Sequence, residues 1–126
     1  MEKPPFLEWY TYYMHMSDLR ESGLWHGLRN ENGVRSYRLW VKDYSGSNRI
    51  NYELVCEPYK DSFQIRWYDH YFDSSDYGFI PRNASSMDEI YSYNDYEANR
   101  LRSVMSAMGF DDSQIPAFCE YLSIFL

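Results

Sequence analysis

The segment INYELVCEPYKDSFQIRWYD, residues 50–69, decides the fold. Ile50, Tyr52, Leu54 and Cys56 recur at every second position, and so do Phe63, Ile65 and Trp67. A side-chain period of two marks strands with one buried face. The intervening EPYKD carries turn formers, so the two runs pair as antiparallel neighbours. Upstream, VRSYRLWVKDY (34–44) alternates in the same way. Tyr37, Leu39 and Val41 share one face; Arg38, Trp40 and Lys42 share the other. The turn-forming SGSN at 45–48 separates it from the next run, which predicts a meander of three strands.

Around this centre the pattern changes. DSSDYGFIPRNASS (73–86) is rich in turn residues and reads as an irregular surface loop. Ser86-Met87-Asp88-Glu89 has the form of a capping box opening a helix. Ile90, Tyr93, Leu101, Val104 and Met108 then recur at helical spacing, and Gly109 supplies the stop. A second helix is expected from about Ser113, burying Ile115, Phe118, Cys119 and Leu122, with Pro116 in its first turn. At the N-terminus, EWYTYYMHM (8–16) reads as a strand on its β propensity, although Phe6, Tyr10, Tyr13 and Met14 also make a helical stripe after Pro5; SDLRESGLWHGL (17–28) reads as a short helical turn leading to a loop. The expectation is one α+β domain over residues 1–126. It has a small antiparallel sheet of three to four strands, with two C-terminal helices packed on one face.

Composition excludes several classes. A chain of 126 residues can bury a substantial core, and its 14 tyrosines can pack while keeping a hydroxyl at the surface. No apolar run approaches the length of a membrane span, and the first residues lack the basic and apolar segments of a signal peptide, so a cytoplasmic protein is expected. Cys56 and Cys119 lie far apart among apolar neighbours, as buried free thiols do.

Charge is distributed unevenly. Residues 1–56 carry seven basic and seven acidic side chains, whereas residues 57–126 carry five and twelve, which accounts for the whole net charge of −7. Between 69 and 97 there are seven acids against one base, Arg82. A phosphate-binding surface needs Lys or Arg, so direct nucleic-acid binding is not expected there; a basic partner fits better.

Candidate chemistry is sparse. There is no HExxH, Cys/His cluster, GxSxG, GxGxxG or P-loop, and no metal or cofactor is expected. Asp69 and His70 suggest an acid–base or metal pair, but neighbouring residues on a strand point to opposite faces. A solvated strand end is the simpler reading. Arg38, Trp40, Lys42, Arg66 and Tyr68 resemble in composition a stacking platform for single-stranded nucleic acid, against which stands Glu53 on the same face. Glu97 falls on the core-facing stripe of the expected helix, one turn from Arg100, and is read as an ion pair or as a general acid raised by burial.

The acidic segment remains. Asp88 and Asp95 are seven apart, two turns along one outward face of the expected helix, with Tyr91 beside them. Asp69, Asp73, Asp76 and Tyr77 precede them. Spaced carboxylates imitate the charge of a nucleic acid, and interleaved tyrosines supply the anchors that charge lacks. Residues Asp69, Asp73, Asp76, Tyr77, Asp88, Tyr91 and Asp95 therefore form the expected partner-binding surface. The function expected is that of a non-enzymatic inhibitor occluding a basic partner, a nuclease or other nucleic-acid-binding protein. Phage or plasmid anti-defence proteins, such as anti-CRISPR or anti-restriction inhibitors, and toxin-neutralising immunity proteins are of this kind. The alternatives are a small enzyme using Asp69, His70 or Glu97, and an assembly module with a tyrosine-rich homo-oligomer interface.

Overall fold

The computed structural model describes residues 22–43, 50–70 and 74–126. The expected strand EWYTYYMHM lies outside them. Five strands form one antiparallel sheet in sequence order: β1 (Ser22–Glu31), β2 (Val34–Asp43), β3 (Ile50–Tyr59), β4 (Ser62–Asp69) and β5 (Ser74–Pro81). Two helices follow, α1 (Asp95–Ala107) and α2 (Ile115–Phe125). The fold is α+β, as the alternation implies, with more strands than the three or four expected.

Both extra strands correct the reading of the sequence. SDLRESGLWHGL does not end in a loop: from Ser22 it is β1, paired along β2 from Ser22↔Asp43 to Glu31↔Val34. The hairpin turns on Asn32 and Gly33, both at positive φ (54° and 81°), the backbone that a two-residue type I′ connection requires. The Asn-Gly pair was the signal for it. Residues 74–81 are likewise a strand, pairing with β4 from Ser62↔Pro81 to Asp69↔Ser74. Ser, Asp and Gly have poor strand propensity, but an edge strand is stabilised by its ladder and its cross-strand neighbours more than by propensity.

One face of the sheet makes the core. Tyr37, Leu39 and Val41 of β2, Leu54 and Cys56 of β3, Phe63, Ile65 and Trp67 of β4, and Ile80 of β5 are all buried there. Against them pack Leu101, Val104, Met105 and Met108 from α1 and its C-terminal end, and Ile115, Phe118, Cys119 and Leu122 of α2. Pro116 stands in the first turn of α2, where its missing N–H leaves no bond unmade. Gly109, at φ 106°, ends the α1 segment.

The first helix starts later than its spacing suggested. Ser86–Glu89 does form a capped turn, in which the Glu89 carboxylate accepts from the N–H groups of Ser85 (2.5 Å) and Ser86 (3.0 Å). That turn is a single 3₁₀ turn, Met87–Glu89. Tyr91 then pairs with Phe79 of β5, and the chain becomes helical only after Asn94, whose side chain accepts from the Glu97 N–H at 2.8 Å. Ile90 is buried as expected, but outside the helix; Tyr93, expected in the core stripe, also precedes the helix and is exposed. No helix among the described residues is long and apolar enough to cross a membrane.

Candidate functional site

The sheet face turned away from the helices carries ordered rows of polar and aromatic side chains. Register places Arg38, Val55, Arg66 and Tyr77 in one row, and Trp40, Glu53, Tyr68 and Ser75 in the next. Two bases on this face are matched by acids: Arg66 bonds Glu57 at 2.5 Å, and Arg38 lies 3.6 Å from Glu53. Trp40 donates to Asn51 at 2.6 Å and stacks on the His70 ring, with centroids 4.6 Å apart. Pairing of Arg with Glu across neighbouring strands offsets the charge of these two arginines.

His70 takes its carboxylate partner from an unexpected place. Its Nε2 lies 3.2 Å from Glu53 Oε1, while Asp69, next in sequence, points to the helix side of the sheet. Glu53 can therefore orient the imidazole and fix which nitrogen carries the proton. Asp69 is not a solvated strand end: it is 8% exposed. Among the described residues no group of three or more His, Cys, Asp or Glu is arranged to hold a metal.

The acidic segment is thinner than its residue count. Asp73 lies outside the described residues. Asp76 is bonded to Arg100 at 3.2 Å, so Arg100 serves Asp76 and not Glu97. Glu97 is half-buried and accepts from the Ser92 hydroxyl at 3.3 Å. Glu89 is committed to the capped turn, where the N–H and hydroxyl of Ser85 and the N–H of Ser86 hold its carboxyl below the usual range. Asp88 and Asp95 do remain exposed, but they belong to different elements: the 3₁₀ turn and the first position of α1. The single helix face that was to align them does not exist.

A tyrosine cluster gathers beside β5. Phe79 of β5 is held by two backbone bonds to Tyr91, three rings pack on it, and a fourth packs on Tyr93. Tyr91 stacks on Phe79 at 5.3 Å, Tyr59 packs at 4.9 Å, Tyr93 meets it edge-on at 5.9 Å, and Tyr77 meets Tyr93 at 5.5 Å. Phe79 is buried, whereas Tyr59, Tyr77, Tyr91 and Tyr93 are 39%, 43%, 44% and 69% exposed. The Lys60 ammonium lies 5.5 Å over the Tyr59 ring, within the reach of cation–π attraction. Tyr77 and Tyr91 were expected at the surface; Tyr59 and Tyr93 were missed. Their nearness depends on the β3–β4 turn and the Phe79–Tyr91 bridge, and no spacing in the sequence encodes it. No family model, curated protein or solved structure matches the chain.

Proposed function

We propose that this is a non-enzymatic binding protein that docks through the Tyr59–Tyr77–Tyr91–Tyr93 cluster onto a basic, arginine-bearing surface of a partner protein. The cluster itself carries the reading. Four exposed tyrosines, three packed on one buried phenylalanine and the fourth on Tyr93, are an aromatic patch of the kind that marks interfaces, and tyrosine is among the residue types enriched at interface hot spots. Arginine suits both parts of the surface, since guanidinium stacks on tyrosine faces and pairs with carboxylates such as Asp88 and Asp95. The net charge of −7 favours encounter with a basic protein at long range.

Proteins that handle nucleic acids present such basic surfaces, and occlusion of one would make this chain an inhibitor. Anti-defence inhibitors and toxin-immunity proteins act in that way. The test uses the immobilised protein in host lysate beside two variants, Tyr77→Ala with Tyr93→Ala, and Asp88→Lys with Asp95→Lys. The expected result is a protein retained by the parent, lost with the tyrosine variant, weakened with the charge variant and displaced by excess DNA or RNA. Retention by both variants would sink the proposal. Retention that nucleic acid does not disturb would leave a binding protein and remove the inhibitor. Self-association is the competing outcome, and a concentration series by sedimentation detects it.

A further inference from the structure

The two edges of the sheet are protected unequally. β5 ends at a proline, and the chain after it lies along its outer side: Tyr91 bridges Phe79, and the Ser92 hydroxyl donates to the Tyr77 carbonyl at 2.7 Å. β1 runs ten residues in unbroken one-to-one register with β2, and it contains no proline, lysine or bulge. Those are devices that keep an edge from pairing with another chain. Among the described residues, no strand or backbone bond meets the outer edge of β1. The two-residue turn at Asn32 and Gly33 makes Glu31 and Val34 a hydrogen-bonded pair. Alternation then points the N–H and C=O of Leu28 and Asn30 outward. Residues 27–31 are all exposed.

This end of β1 also carries apolar surface. Leu28, 44% exposed, stands opposite Tyr37 on the helix side of the sheet. Tyr37 packs on Tyr121 at 4.9 Å, and Tyr121 on Phe125 at 4.7 Å. Phe125 is itself 38% exposed, so apolar side chains run from the edge to the end of α2. On the other face Arg29 lies 3.3 Å from Glu31, and residues 27–31 carry no net charge. That neutrality gives the edge no preference for the basic surface proposed to meet the tyrosine cluster.

We propose that β1 pairs with β1 of a second copy, antiparallel about a two-fold axis at Leu28, joining two five-stranded sheets into one. In this register Leu28 faces Leu28, Arg29 faces Gly27, and no like charges stand directly opposite. A Cβ at Gly27 would meet nothing within 4 Å, so the Arg29 stem has room there. Sliding by two residues one way opposes Arg29 to Arg29. Sliding the other way sets Leu28 opposite His26 and loses the apolar pair. The contact is isologous and closes at two copies. It leaves the tyrosine cluster, carried by β3, β5 and the segment after β5, uncovered, so neither reading requires the other.

The test is sedimentation equilibrium over a concentration series of the parent, Leu28→Lys, Leu28→Glu and an equimolar mixture of these two variants. Leu28 lies outside the core, so both variants should keep the fold. The parent should dimerise at micromolar concentration. Each variant alone opposes like charges on the axis and removes apolar burial, and should dimerise about tenfold more weakly or worse. The mixture should recover a dimer, because opposite charges then face each other. Tyr77→Ala with Tyr93→Ala should dimerise as the parent does, which separates this contact from self-association through the cluster. A monomer at every concentration, or an undiminished dimer in either Leu28 variant alone, would overturn the proposal. So would a mixture no stronger than its components, or loss of the dimer with the tyrosine variant.

Discussion

Tyr91 is tied to Phe79 twice through the backbone, donating to its carbonyl at 2.9 Å and accepting from its N–H at 2.7 Å. The Tyr91 hydroxyl also meets Ser62 Oγ at 2.9 Å, a contact between residues 29 apart in sequence. These bonds hold the stretch after the capped turn against the edge of β5 as a short extended segment. They also hold the Tyr91 ring over Phe79, so that under the proposed docking less side-chain entropy would be lost on binding. Tyr91→Phe keeps the ring and removes the hydroxyl bond. Stability should fall by about 1 kcal/mol in chemical denaturation.

The same close approach depends on Gly78. A Cβ there would stand 2.6 Å from Leu101 Cδ2 and 2.7 Å from the Tyr91 carbonyl oxygen. Leu101 is fully buried and the carbonyl is backbone, so neither can yield cheaply. Gly78→Ala should destabilise by about 1–3 kcal/mol, the range for overpacking. Gly27→Ala, where nothing lies within 4 Å, should change the unfolding midpoint far less. Equal effects of the two substitutions would contradict the packing of α1 on β5.

Asp76 and Arg100 form a pair across β5 and α1, with side chains 19% and 37% exposed. Partial exposure limits its worth. A double-mutant cycle with Asp76→Asn and Arg100→Gln should return a coupling of about 0.5–1 kcal/mol that shrinks with added salt. By contrast, Asp88→Lys should leave stability nearly unchanged. Additive behaviour of the Asp76 and Arg100 substitutions would show that the ion pair is not formed in solution.

Glu89 predicts a feature of the acid limb. Its folded pKa lies below the ordinary value of 4.5, because the N–H and hydroxyl of Ser85 and the N–H of Ser86 bond the carboxylate. Its contribution to stability is therefore full above the unfolded value and is lost as pH falls through the lowered folded value. Melting temperatures measured from pH 6 to pH 2 should fall below about 4.5 in the parent. In Glu89→Gln the fall should be shallower. Superimposable profiles would dismiss the capped turn as a source of stability.

Cys56 and Cys119 are free and buried. Burial pushes both thiols up, that of Cys119 to about 11, so little thiolate is present at neutral pH. Native protein should react with iodoacetamide at a small fraction of the rate seen in denaturant. Rapid labelling of either thiol in the native state would contradict the helix packing over β3.

The sequence by itself determined β2, β3 and β4, because a strict alternation over 34–69 admits only a sheet with one buried face. It determined the end of α1 at Gly109, and it placed the start of α2 at about Ser113, two residues before the Ile115 at which it begins, because a positive φ and a missing N–H at Pro116 act within one residue. Tertiary structure alone decided which charges survive at the surface. Arg100 could have served Glu97 one turn away, and it serves Asp76, 24 residues distant; His70 finds Glu53, 17 residues back, in place of its neighbour Asp69. It also decided that 74–81 is a strand and that the segment at Tyr91 is not helical, since backbone groups there bond to β4 and to Phe79 and not to a turn of their own. The physical reason is common to all of these. Periodicity and capping act within about one turn or one strand, whereas ion pairs and edge pairing are set by register and helix docking between segments that no local pattern brings together.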